Sequence, residues 1–388
     1  MLITGAGYSV LQPKKKMQID EASVDPNATN PIDAWGSSLL AAAIAAPSAD
    51  NRLPFCWRRT DDGFALYRRS RAASCLPHQR WLDDLSLGAV SVNLEIRAAA
   101  LGLTLSTPWS LFADNNTALV RVAYVENGKP SRRLNDAQID ARHTHRGLIF
   151  RAPNLSSVAL AGLEASAAAD RSARLHWLDA PALRRSAVRA VVKAETARFA
   201  HRLLHRELFE AIRFKAPASG LPVEGLAPPS LALNAVELWM FPLLAHWPVQ
   251  RAGNWFGLHH MIGWRSAGLP CWLAPHLCAI SVESGAVNPA FEAGRALQRV
   301  WLEASALNLA FQIFAAGPLY AQPDISPLPP AQQSDLARIW AQCCDGQTPA
   351  IAFRMGLAPP VAGRNARPAI AALRCRAEAP AQRASADL

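Results

Sequence analysis

The sequence predicts an α+β protein built from two related lobes, fused in tandem as an intramolecular pseudo-dimer with a central helix from each lobe crossing in a shared core. Three observations predict this. First, "LGAVSVNLEIRAAALGL" (87–103) lies on "AGRALQRVWLEASALNL" (293–309) at one constant offset: Gly88 falls on Gly294, Leu94 on Val300, Ile96 on Leu302, Ala98 on Ala304 and Leu103 on Leu309. Second, both segments are apolar on most faces, which marks a helix surrounded by protein. Third, each is followed by a strand-like run, "ALVRVAYVE" (118–126) and "PAIAFRMGLA" (349–358), with alternation and β-branching clearer in the first. The alternative to a repeat is chance similarity between two Ala/Leu-rich helices.

The elements follow in order. Residues 1–30 read as a poorly ordered leader. "SSLLAAAIAA" (37–46) reads as a helix, stopped by Pro47, Ser48, Asp50, Asn51 and Pro54 before the aromatics Phe55 and Trp57. Those turn formers allow two readings. They end a helix with ordinary turn chemistry, or Ser48 and Asn51 are aimed at a ligand with hydrogen-bonding edges. "ARHTHRGLIF" (141–150) gathers Arg142, His143, Thr144, His145 and Arg146 ahead of an apolar run. "ETARFAHRLLHRELFEAIRF" (195–214) places Leu204, Leu208 and Ile212 at helical spacing, an amphipathic helix whose basic residues form a solvated face. The Pro/Gly-rich stretch 215–230 is long for a connection and suits a lid. "LALNAVELWMFPLLAHWPV" (231–249) carries Glu237, His246 and two prolines, so it reads as a buried helix and turn and not a membrane span. The division expected is a first lobe over 31–140, a second over 141–370 and a basic, Ala-rich tail over 371–388.

Composition narrows the function. A chain of 388 residues that is 51% hydrophobic has ample core, and 18% charged residues is too few for a disordered polyelectrolyte. The net charge of +10 invites an anionic partner. The arginines are dispersed, with no long basic arm, so neither nucleic acid nor membrane is expected as a partner. Seven cysteines without paired CxxC motifs make neither a disulfide scaffold nor a zinc site, and read as reduced packing residues. His259-His260 lacks ligand partners at metal spacing, so no metal is expected. "GAG" after "LIT" lacks the third glycine and the strand–loop–helix context of a dinucleotide loop. The first residues place charge after the apolar stretch, the reverse of a secretory signal, and a cytoplasmic protein is the expectation. There is no GxSxG, Walker loop or HExxH, and no side chain is singled out as a catalytic acid, base or nucleophile.

Four segments carry a resemblance. "APSADN" (46–51), "RHTHR" (142–146), the helix at 293–310 and "FRMGLAPPVAGRNARP" (353–368) resemble, in that order, the signature segments of the nitroreductase superfamily of FMN proteins. The order and length are similar to its single-chain, tandem-lobed, Acg-like branch. The resemblance spans about 31–370. It implies a nitroreductase-like fold with antiparallel sheets and FMN at the interface of the lobes. A PSxxN loop, here with Ser48 and Asn51, would lie against the flavin ring. An RxTxR segment, here Arg142, His143, Thr144 and Arg146, with Arg364 and Arg367 of the C-terminal basic segment, would hold the phosphate. The first lobe has the one loop and the second has the basic segments, so the halves add up to one site. Guanidinium groups suit a dianionic phosphate, and an amide suits the flavin's pyrimidine edge. The activity implied is hydride transfer from NAD(P)H through flavin N5 to a nitroaromatic, quinone or similar electrophile. The alternative is a non-enzymatic protein that sequesters FMN under a lid. The oligomer implied is a monomeric pseudo-dimer or a homodimer. One departure stands out: the loop continues as Leu53-Pro54-Phe55, without the family's usual glutamine.

Overall fold

A computed structural model describes residues 31–69, 75–103, 105, 108–111, 117–123, 136–215, 224–361 and 365–375. The leader 1–30, half of the expected lid (216–223), Arg364 and residues 376–388 lie outside the described residues.

The first half of the chain forms α1 (Pro31–Ala45), the hairpin β1 (Phe55–Thr60) and β2 (Gly63–Arg68), α2 (Pro77–Ala100), β3 (Ala118–Ala123) and α3 (Asp136–Ala141). Its sheet is antiparallel, in the order β1-β2-β3. The second half forms α4 (Ser157–Ala167), β4 (Ala173–Trp177), α5 (Pro181–Ala200), α6 (Arg202–Glu210), α7 (Ala235–Leu244), α8 (Trp247–Asn254), α9 (Leu258–Gly263) and α10 (Leu269–Trp272). It continues through β5 (His276–Val282), α11 (Pro289–Ala306), β6 (Ala310–Phe314), α12 (Ala316–Ala321), α13 (Pro330–Cys343) and β7 (Thr348–Gly356). Its sheet is also antiparallel, in the order β4-β5-β7-β6. The protein is thus α+β, with two lobes and one antiparallel sheet in each.

The central helices are α2 and α11, and they cross at the two aligned glycines. A Cβ on Gly88 would sit 2.0 Å from the Phe291 carbonyl oxygen, and one on Gly294 would sit 1.9 Å from that of Leu85. Leu85 and Phe291 stand at the same offset as the glycines, so the contact is reciprocal, as in a two-fold interface. Only glycine permits that approach. Beside the crossing, buried Gln298 donates to Asn93 Oδ1 at 2.6 Å. Arg295 joins Glu95 of α2 to Asp170 at the end of α4, and Arg299 joins the same two carboxylates.

Three sequence expectations change, while the strand expected over 349–358 forms as β7, a central strand buried on both faces; a strand with no wet face has no reason to alternate. The helix expected over 195–214 is two helices, broken where His201 turns extended at φ −104, ψ 125. The run 231–249 forms helices as expected but is not buried, since Val236, Trp239 and Leu243 stand in solvent. The cysteines are not all reduced: Cys56 of β1 is bonded to Cys375, with Cα atoms 5.0 Å apart. Cys271, Cys278, Cys343 and Cys344 are free and buried, and burial pushes their thiols up, as packing residues require. The start of the expected basic, Ala-rich tail, residues 371–375, is packed. A short 3-10 turn (Ile370–Leu373) packs on β1, and the Cys375 N–H donates to the Trp57 carbonyl at 2.9 Å.

No helix among the described residues is long and apolar enough to cross a membrane.

Candidate functional site

A cavity of about 1580 Å³ lies between the lobes. Its walls come from the end of α1, the turn 47–51, the start of α2, the segment 139–146, α5, α6, α7, α9, Leu297 and Trp301 of α11, β6 and the segment 365–374. Ser48, Asn51, Arg142, His143, Thr144, Arg146 and Arg367 all line it. Seven of the eight residues expected at a site are therefore brought together, and Arg364 lies outside the described residues.

The spacing of "RHTHR" follows from an extended backbone. Thr144 bridges to Phe311 of β6, and the His145 N–H donates to the Phe311 carbonyl at 2.9 Å. Alternate residues of an extended chain face opposite ways. Arg142, Thr144 and Arg146 face the cavity. His145 turns back into protein, where Nε2 donates to the Pro359 carbonyl at 2.7 Å and Nδ1 accepts from the Gly147 N–H at 3.1 Å. Arg354 of β7 anchors the end of this segment. It is fully buried, lies over the Phe150 ring at 3.9 Å, and donates to the carbonyls of Gly147, Leu148 and Pro270 and to Gln312 Oε1. Sequence reasoning passed over Arg354. A lone arginine inside an apolar strand was the available signal, since unpaired burial of such a group is prohibitive.

The turn after α1 answers both readings of "APSADN". Its helical end is capped, but by arginines from far away in sequence. Arg142 Nη2 donates to the Ala45 carbonyl at 2.8 Å, and Arg367 Nη2 donates to that of Ala46 at 2.8 Å. Cations at a helix C-terminus also meet the favourable end of its dipole. Asp50 and Asn51 both adopt left-handed backbone, at φ 53 and 55, a conformation that Asp and Asn tolerate best. This tight turn sends the Asn51 side chain inward. Its Oδ1 accepts from Arg367 Nη1 at 2.6 Å, and its Nδ2 donates to the Ala366 carbonyl at 3.0 Å. Ser48 Oγ is buried with no hydrogen-bond partner among the described residues.

The site is rich in cations. Desolvation holds the Arg146 guanidinium below its ordinary range, and only Asp50 works in the other direction. Desolvation brings Arg367 down to about 10. Arg142 is buried over the Trp301 ring at 4.3 Å. Arg146 and Arg367 are half-buried. Three partly or fully desolvated cations in one cavity wall carry a cost that a bound anion would offset.

A second polar group, not read from the sequence, lines another part of the cavity: His78, Glu195, Arg198, Glu207 and Tyr320. His78 Nε2 lies 3.0 Å from both Glu207 oxygens. Burial raises the Glu207 carboxyl, but hydrogen bonding to His78 and the charge of Arg198 outweigh it and hold the group below its ordinary value. Burial likewise pushes the Tyr320 phenol up. These residues come from α2, α5, α6 and α12, so no local pattern connects them. Among the described residues no cluster suited to a metal ion is present.

This chain is similar to solved nitroreductases. One, with bound FMN, is from Bacteroides fragilis: 11% identity over 60% of this chain and 93% of that one, with a TM-score of 0.32. Another, also with bound FMN, is from Desulfitobacterium hafniense: 12% identity over 61% and 94%, TM-score 0.32. The FMN-dependent nitroreductase NfnB from Mycobacterium smegmatis, solved in complex with NADPH, shows 14% identity over 63% and 94%, TM-score 0.32. No family model matches the chain, and no curated protein matches it. At those scores the reading of the site rests on the chain's own residues.

Proposed function

We propose that the cavity holds one FMN per chain and that the protein is an FMN-dependent oxidoreductase passing hydride from NAD(P)H to an electrophilic acceptor, a nitroaromatic, quinone or similar. One observation carries the reading: buried Arg142 and half-buried Arg146 and Arg367 line a single interlobe cavity that also holds Ser48, whose buried hydroxyl has no hydrogen-bond partner among the described residues. The donor set suits FMN. Arg142, Thr144 and Arg146, with His143 beside them and Arg367, would bind the phosphate. Arg364 joins them on sequence grounds alone. Ser48 and Asn51 would meet the ring. FMN, when bound, supplies two-electron hydride chemistry between nicotinamide and acceptor. The chain's part is placement. Arg367 fixes the Asn51 amide, Arg354 fixes the end of the segment at Gly147 and Leu148, and α7 and α9 supply an apolar wall.

Two measurements test this. Flavin released by heat from the purified protein and quantified against it should give a ratio near one. A ratio near two would require a second site, and a protein that stays colourless after incubation with FMN overturns the proposal. An anaerobic titration with NAD(P)H should bleach the flavin band. Tightly bound FMN that resists reduction would keep the binding site and remove the oxidoreductase, leaving sequestration.

A further inference from the structure

The cavity has an outer rim of a different character. Twelve of the eighteen exposed large hydrophobic residues among the described residues fall between 236 and 273. They include Trp239 at 72% exposure, Trp255 at 78%, Phe256 at 88% and Met261 at 68%, with Trp264 and Trp272 about half exposed. They sit on α7, α8, α9, α10 and the turns between them. These helices grip the body through a small core of their own, with Leu244, Phe241, Leu258 and Ile262 packed on Phe199 and Phe209 of α5 and α6. Among the described residues nothing covers their other side. Isolated surface hydrophobes need no explanation, but a contiguous set of this kind marks an interaction surface.

We infer that this helical cluster docks on the surface of an anionic lipid bilayer, with the cavity mouth facing the lipid. Charge and residue type select that occupant. Across the patch, 236–273, the one carboxylate is Glu237 of α7, and it is ion-paired with Arg265 at 2.8 Å; Arg251 is exposed, and the chain as a whole carries +10. Tryptophan and phenylalanine on short helices, with an exposed cation and no uncompensated carboxylate, are the composition that settles at the level of lipid headgroups. The cavity position agrees. Met240 and Met261 both line the cavity and stand exposed, so it opens through the apolar face. A second copy of the chain seated there would close that mouth. A bilayer would instead offer it apolar molecules directly. The sequence expectation of no membrane partner rested on the dispersed arginines, and interfacial helices draw most of their binding from the apolar area they bury, with a few cations adding to it. This inference does not depend on the flavin reading.

The test uses the purified full-length chain and vesicles of phosphatidylcholine alone or with 30% phosphatidylserine, a composition of about the anionic density at which basic surfaces bind. The chain should sediment with the anionic vesicles, and brominated lipid should quench its tryptophan fluorescence. The W255S/F256S double variant, at exposed positions, should keep its far-ultraviolet spectrum and bind at least tenfold more weakly. R251E should weaken binding at low salt, with the difference shrinking as salt is added. No sedimentation with anionic vesicles overturns the inference. So does binding that the double variant retains in full. A concentration-dependent dimer in light scattering that W255S/F256S abolishes, without vesicle binding, would assign the surface to a second copy and overturn it too.

Discussion

Two kinds of desolvated arginine can be compared in this molecule. Arg354 is fully buried in the centre of the second sheet, with its donors committed to three carbonyls and a glutamine, over an aromatic ring. Arg146 and Arg367 are half-buried in a cavity wall, and desolvation depresses both guanidinium groups. Residue type is alike, but burial and surroundings differ. Arg354 is surrounded by fixed protein acceptors and works as a brace. Arg146 donates to the Ser230 carbonyl at 3.0 Å, and Arg367 to Asn51 and the Ala46 carbonyl, while both also border the cavity. A desolvated cation is informative about function only once its partners have been counted.

That contrast can be broken most forcefully at the brace. Arg354→Leu should cost about 3–5 kcal/mol of stability, because the carbonyls of Gly147, Leu148 and Pro270 lose their donor. Urea unfolding measures it, and a loss below about 1 kcal/mol would mean those carbonyls find other donors. Arg146→Ala should do the reverse. Stability should change little, while FMN retention falls by about 1.5–3 kcal/mol, roughly ten- to a hundredfold. Riboflavin, which lacks the phosphate, sharpens the assignment: wild type and variant should bind it alike. Equal loss for both flavins would move Arg146 away from the phosphate.

A third arrangement, arginines paired with carboxylates, gives a pH signature. Burial raises Asp170, but Arg295 and Arg299 outweigh it and bring its carboxyl to about 2, from an ordinary 3.8. A carboxyl depressed on folding contributes stability that is complete above its unfolded value and is lost as pH falls through its folded one. Wild type should therefore exceed Asp170→Asn in urea midpoint at pH 7 and 5, with the gap narrowing below pH 3.8 toward about 2. A gap that persists undiminished at pH 3 would show that the arginines do not depend on the charge. The smallest effect belongs to Ser48→Ala. Removing a buried, unpartnered hydroxyl should leave stability unchanged or slightly higher, and weaken FMN severalfold if that hydroxyl meets the flavin. Denaturation and flavin content, read on the same sample, separate the two outcomes.

By itself the sequence determined what depends on near neighbours and on repetition. Apolar runs and the repeat marked α1, α2 and α11, and the repeat paired Gly88 with Gly294; that the pair is where the two helices touch was decided by packing, in which only a missing Cβ admits the facing carbonyl. "RHTHR" was legible as a cluster, but which members line the cavity was not: Arg142, His143, Thr144 and Arg146 do, and His145 turns away. Tertiary structure alone decided the rest. Cys56 meets Cys375 across a separation of 319 residues, and His78 meets Glu207 from different helices. Arg142 and Arg367 cap a helix that ends near residue 45. Local patterns carry no record of such partners, because packing of whole elements chooses them. The same holds for 231–249. An apolar helix reads alike whether its outer face meets protein, lipid or water, and only the placement of α7 to α10 over α5 and α6 shows which face was left uncovered.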